Sequence, residues 1–146
     1  MRGVPAGVAV LTVDVDGERL GLTVGSIVTL SLSPPLVGVA VSRQAAMHEL
    51  LRRAGAFAVS LLAGDQAALA QHFARGVPPF AHWHGVALRE EGAAPLLAGA
   101  FGWLECRLAA EHEAGDHTLF VGAVETAERG PGRSALLRVG GEYVWL

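Results

Sequence analysis

Apolar residues occur in short runs, broken by Gly, Pro and Asp-Gly pairs, and the period of the runs changes along the chain. Val8 to Val15 is apolar and rich in β-branched residues, and Asp16-Gly17 then turns into Arg19 to Thr23, where Leu20 and Leu22 share a face. That pattern predicts a hairpin at the start. Leu36 to Val41 is almost continuously apolar, as in a strand covered on both faces, and a central place in a sheet is expected for it. Between these segments, Gly25 to Ser33 is dense in hydroxyls and ends at Pro34-Pro35, which cannot donate to a ladder.

Two segments carry helical spacing. Ala46, Met47, Leu50 and Leu51 fall on one face of Ala45 to Arg53, and Gly55 stops that helix. Asp65 is placed to cap a second short helix running to Phe73, before Gly76 and Pro78-Pro79. Strands are predicted at Phe57 to Leu62, His117 to Thr126, Ser134 to Val139 and Glu142 to Leu146. From Phe101 to Glu113 the chain alternates, with Phe101, Trp103, Glu105 and Arg107 opposite Leu104, Cys106 and Leu108. Residues 75 to 95 are irregular and hold Phe80, His82, Trp83 and His84. Seven or eight strands with two short helices favour a closed or nearly closed β-barrel over a parallel α/β sheet.

Composition sharpens this. The 146 residues are the size of one domain, with 51% apolar and 17% charged residues and a mean hydropathy of +0.40. So short a chain cannot bury all of that apolar surface in its own interior, so a subunit interface or a ligand pocket is expected. The net charge is -3 and all 11 cations are Arg. No basic stripe for nucleic acid is visible, and no run reaches the roughly 18 apolar residues of a membrane span. No secretory leader is recognisable, and Cys106 is the only cysteine, so an internal disulfide is excluded and a cytoplasmic location is expected.

The chemistry available is limited. There is no Gly-x-Gly-x-x-Gly after a strand, no Walker lysine and no nucleophile elbow, which argues against phosphoryl transfer and hydrolysis. Thr23, Val24, Gly25 and Ser26, continuing to Thr29, Leu30 and Ser31, form the best anion candidate, because small residues admit backbone N–H groups and hydroxyls add donors. The same residues also read as an ordinary Ser/Thr-rich strand and turn. Arg43 and Gln44 can supply a cation and an amide to the same ligand. His72, His82 and His84 could form a metal set, but no nearby carboxylate completes it and no metal is expected. His117, after Gly115-Asp116, stands at the head of a strand where a side chain can reach a pocket mouth.

Taken in order, these pieces resemble the short-chain flavin reductases of two-component monooxygenases, which have the FMN-binding split-barrel fold. The resemblance rests on Pro5 to Thr12, Gly21-Leu22-Thr23-Val24-Gly25-Ser26, Leu30-Ser31-Leu32-Ser33-Pro34-Pro35-Leu36-Val37, Phe57 to Leu62 with Asp65-Gln66, and Gly115 to Gly122. It covers nearly the whole chain and implies a mainly β, Greek-key split barrel with two short helices, as one domain over 1–146. It further implies NAD(P)H-dependent reduction of FMN or FAD, with NADH or NADPH as co-substrate. The partners it implies are a second copy, giving a homodimer, and a flavin-dependent monooxygenase reached by diffusible reduced flavin. A non-catalytic flavin- or haem-binding split barrel is the alternative.

Residue roles follow from the same resemblance. Thr23 to Ser31 would wrap the flavin, Arg43, Gln44, Ala45 and His48 would lie beside its phosphate, and Phe80 and Tyr143 would join the cofactor-binding set. His117 would sit near the nicotinamide. Family members usually begin with a helix ahead of the Pro-Ala-Gly strand, and this chain starts four residues before Pro5. Many carry Asn where Gly25 stands and Ser or Thr where Ala45 and Ala46 stand, which moves the expected weight of binding onto backbone donors and Arg43.

Overall fold

The computed structural model describes residues 3–74, 81–89 and 92–146. The opening hairpin forms as expected: β2 (Ala9–Val15) and β3 (Glu18–Val24) pair with Val15 opposite Glu18. Asp16 and Gly17 close it at φ 53° and 87°, the left-handed pair that a two-residue hairpin turn requires. A short strand, β1 (Ala6–Gly7), precedes it. β4 (Val28–Leu32) and β5 (Pro35–Ser42) make a second hairpin, with a register shift between Thr29 and Ser31.

Helix α1 (Ala46–Ala54) follows, and its stop is at the expected glycine: Gly55 takes φ 66° and donates its N–H to the Leu51 carbonyl. Met47, Leu50 and Leu51 face inward, while Glu49 in the first turn and Arg52 and Arg53 in the last complement the helix dipole. After β6 (Ala56–Leu61) comes α2 (Ala67–Ala74). Gln66, not Asp65, prepares its start. The Gln66 carbonyl accepts the Ala70 N–H, and its side-chain Oε1 accepts the Ala63 N–H.

The long strands β7 (Gly102–Ala114) and β8 (His117–Arg129) complete a seven-stranded antiparallel sheet in the order β3-β2-β6-β7-β8-β5-β4. β9 (Leu136–Val139) and β10 (Glu142–Trp145) join β1 in a separate sheet, ordered β1-β9-β10. The large sheet is not closed by pairing between β3 and β4, so the barrel is split.

Three expectations need correction. The described residues form ten strands, because β1 and β4 were not counted from the sequence. β5 is next to the edge of the sheet, between β8 and β4, and not central. Its two-sided burial has a local cause. Val37, Val39 and Val41 enter the main core, while a Cβ at Gly38 would come within 3.0–3.2 Å of Leu119, Leu30 and Val28 on the other face. β7 does not alternate strictly, since register shifts at Glu105/Cys106 and Leu108/Ala110 leave Trp103 and Cys106 buried but Arg107 exposed.

The core has three parts: a small one gathers Ala58, Ala94, Leu96, Ala100 and Trp103, and the two larger ones are divided by β2. Leu11 and Val13 pack with Val39, Met47, Leu51, Phe57 and Phe120 beneath α1. Val8 and Val10 pack with Leu62, Ala70, Phe73, Leu97 and Leu136 between α2 and the small sheet. Burying both faces of one apolar strand fixes the two sheets and both helices relative to each other.

Candidate functional site

Seven of the residues singled out from the sequence line two clefts. The first, of about 450 Å³, lies where the end of β3 meets β1, β9 and β10, and Thr23, Val24, Gly25 and Tyr143 line it. Val4, Ala6, Val8 and Ala74 form apolar walls, and Arg138 on β9 provides a cation. This size and character lie within the range of small-ligand sites. The Thr23 hydroxyl is already committed, donating to the Ala70 carbonyl at 2.6 Å. What the segment offers a ligand here is therefore mainly backbone and apolar surface.

Ser26 leads away from this cleft. Its Oγ donates to the Ala40 carbonyl at 2.9 Å and accepts the Ala40 N–H at 3.1 Å, so it clamps the β3–β4 connection onto β5. Thr29 and Leu30 are exposed on edge strand β4, and Ser31 is half-buried there. These residues continue the surface beyond the first cleft and do not line it.

The second cleft, of about 460 Å³, lies at the corner where β5 enters α1, against the β7–β8 turn. Arg43, Ala45 and His48 line it, with Glu49, Arg52, Glu111, His112, Glu113 and Thr118. Exposed Gln44 adjoins it and donates its N–H to Ser42 Oγ at 3.3 Å. Arg43 is not the free cation the sequence suggested, because it pairs with Glu113 at 2.9 Å. His48 is buried, with Nε2 2.7 Å from Thr118 Oγ1.

His117 stands at the same corner. It pairs across the sheet with Ser42, and Asp116 accepts the Arg43 N–H through its carbonyl at 3.0 Å. Asp116 Oδ1 lies 2.7 Å from His117 Nδ1. A carboxylate only accepts, so Nδ1 is the donor and Nε2 is left facing outward. The His117 hydrogen bond, and then its charge, hold the Asp116 carboxyl below its ordinary value.

Phe80 lies outside the described residues. Two of the three histidines considered for a metal have other engagements. His82 is buried and its Nε2 accepts the Gly21 N–H at 2.9 Å, while His72 Nε2 lies 2.6 Å from the His82 carbonyl. Reading the sequence missed Arg138, Thr118 and the Glu111/Glu113 pair. For the carboxylates the signal was only the Glu111-x-Glu113 spacing near the end of β7, which puts both on one face of the strand. For Arg138 there was none, since its cleft forms only when β9 docks beside β3.

A family model described as "Flavin reductase like domain" matches residues 1–146. The chain belongs to this family. Over 144 residues it is 44% identical to the NADH-dependent FAD reductase of Streptomyces globisporus, a match covering 95% of this chain and 78% of that protein. It is also 44% identical over 125 residues to the reductase component of 4-hydroxyphenylacetate 3-monooxygenase from Thermus thermophilus, covering 86% of this chain and 78% of that one. Among solved structures, the flavin reductase component of a bacterial two-component tryptophan halogenase superposes with a TM-score of 0.89 at 39% identity, covering 99% of this chain and 92% of that chain. The Streptomyces globisporus NADH:FAD oxidoreductase superposes with a TM-score of 0.90 at 43% identity, covering 97% and 86% respectively. The expected split barrel, mainly β with two helices, is thus the fold of this flavin reductase-like chain.

Proposed function

We propose that this chain is an NADH-dependent flavin reductase, acting as a single flavin reductase-like domain over 1–146, that reduces FMN or FAD for a partner flavin-dependent monooxygenase. One observation carries the reading. Thr23, Val24 and Gly25 from the β3 end and Tyr143 from the last strand, far apart in sequence, share one apolar cleft of ligand size in a chain whose family is established. The names of relatives support NADH as the donor and both flavins as acceptors.

A flavin bound there would supply the hydride acceptor and the reducing power passed on, and the protein would supply binding and alignment. Nothing in that division of labour needs a nucleophile or a buried acid. Val24 and Gly25 would let an aromatic ring approach the backbone, and Tyr143 would wall the cleft. His117, half-exposed, would present Nε2 to the nicotinamide portion of a dinucleotide that must arrive and leave, with Asp116 fixing the ring. Arg43, Gln44, Ala45 and His48 would shape the corner on which that dinucleotide rests.

The exposed apolar residues of β4, Val28, Leu30 and Leu32, together with Trp145, are surface that a second copy would cover in a homodimer. Among the described residues no helix is long and apolar enough to cross a membrane, and a cytoplasmic site of action is proposed. The test mixes purified protein, NADH and FMN or FAD in air and follows the loss of NADH absorbance. Oxidation well above the protein-free rate is expected. Tight flavin binding without oxidation would favour a flavin- or haem-binding protein, and no binding at all would end the flavin reading.

A further inference from the structure

Arg43 and Arg52 both line the corner where β5 enters α1, but they are held differently. Arg52 makes two bonds to one carboxylate, from Nε to Glu111 Oε2 at 3.1 Å and from Nη2 to Oε1 at 2.6 Å. A guanidinium already engaged as a fork has little to offer another anion. Arg43 meets Glu113 through one approach, Nη2 to Oε1 at 2.9 Å, and the Glu113 side chain is 86% exposed. Such a pair opens readily.

The backbone that carries this second pair is nonetheless fixed. Glu113 pairs across the hairpin with Thr118, whose hydroxyl meets buried His48, and the Arg43 N–H donates to the Asp116 carbonyl at 3.0 Å. The Asp116 carboxylate is turned to His117, 2.7 Å from Nδ1. Glu113 is therefore a carboxylate kept within reach of Arg43 even when the two are apart. Just beyond Arg43, Ala45 stands at the N-cap of α1 with no side-chain cap bond, so the start of the helix is left to an incoming anion. A phosphate at this corner can give two oxygens to Arg43 and a third to the helix, which a single carboxylate oxygen cannot match.

We propose that Glu113 is an internal competitor for Arg43: its carboxylate occupies the guanidinium in the empty site, is displaced when a ligand phosphate enters the corner, and returns as that ligand leaves. The phosphate would be the flavin's or the dinucleotide's, which share this chemistry, and its identity rests on the flavin reductase reading above. A ligand that must first break an internal contact loses that contact from its affinity. The consequence is easier release, which suits a site that must hand its reduced flavin on.

The test measures affinities for FMN, and for riboflavin, which lacks the phosphate, by quenching of flavin fluorescence, with the KM for NADH in parallel. Glu113→Gln is expected to tighten FMN about two- to fivefold at low ionic strength, the range of an exposed ion pair, and less in high salt. Riboflavin affinity should stay unchanged, which also shows that the fold is intact. In an Arg43→Gln background the same substitution should leave FMN affinity unaltered. Glu111→Gln removes an equal charge but releases Arg52 instead, and should give a smaller gain. A two- to fivefold fall in the KM for NADH on Glu113→Gln, with the FMN-to-riboflavin ratio preserved, would assign the phosphate to the dinucleotide and support the same competition. Unchanged values on both arms, a gain that survives Arg43→Gln, or an equal gain from Glu111→Gln would overturn it. A wild type that takes up neither flavin nor NADH would overturn the functional reading and this proposal together, whereas a normal wild type with an indifferent Glu113→Gln overturns only the latter.

Discussion

His48 Nε2 lies 2.7 Å from Thr118 Oγ1, and both residues are buried, so a side-chain hydrogen bond joins the first turn of α1 to the start of β8. The imidazole also meets Phe120 edge-on, with ring centres 5.1 Å apart. His48 therefore braces the corner that carries Arg43 and His117 and is not an open ligand group. His48→Ala would leave the Thr118 hydroxyl unpaired beside a new void. It should destabilise the protein by about 2–3 kcal/mol, with His48→Gln losing less. Urea unfolding of the two variants checks this, and equal stabilities for wild type and alanine variant would contradict it.

A second histidine couples stability to pH. His82 accepts the Gly21 N–H on the outer edge of β3, a task only an unprotonated nitrogen can perform. Burial, and then the neighbouring His72 charge, lower its pKa from 6.5. The unfolded chain thus binds the proton more readily than the fold. The contribution is fully present above pH 6.5 and is lost as pH falls below that value toward the lower folded-state pKa. Wild-type urea midpoints should drop across this window. His82→Gln, which keeps an acceptor but does not titrate, should show a smaller drop. A parallel fall in both would remove His82 as the cause.

Much of the fold was legible because its signals are local. Asp16-Gly17 and Gly55 adopt the left-handed conformations that their places in the sequence implied. The double-faced burial of Leu36 to Val41 was also legible, but its place in the sheet was not, since Val28 and Leu30 of the neighbouring strand can cover one face as well as a central position does. The site was legible only as separate segments. Thr23 to Gly25 and Tyr143 converge because β10 and β3 dock through long-range packing, and the commitment of Ser26 to Ala40 or of Arg43 to Glu113 depends on partners that a linear pattern does not place.

Close packing at Gly122 makes a sharper test of the core. A Cβ there would lie 2.5 Å from Phe57 Cζ and 2.9 Å from Cys106 Cβ. Phe57 is among the fully buried side chains of the main core and has no free volume to retreat into. Gly122→Ala should therefore cost about 1–3 kcal/mol by overpacking. Gly7→Ala, where an added Cβ meets nothing within 4 Å, should cost much less. Thermal unfolding of the two variants side by side decides the matter, and equal shifts would mean that β8 moves away from Phe57 more easily than close packing allows.

The exposed edge strand tests the assembly. Leu30 is 45% and Leu32 94% exposed on β4, the last strand of the large sheet, and Val28 beside them is 44% exposed. An apolar, unpaired edge left open in water invites pairing or aggregation unless something covers it. In the proposed homodimer that cover is a second copy. Leu30→Glu and Leu32→Glu should then weaken self-association, because each would place a charge in the buried interface, at a cost of several kcal/mol. Both sites are exposed within one protomer, so folding of the separated chain should change little. Light scattering coupled to size exclusion reads the outcome. A wild-type dimer converted to a monomer by either substitution supports this face, whereas an undisturbed dimer places the interface elsewhere.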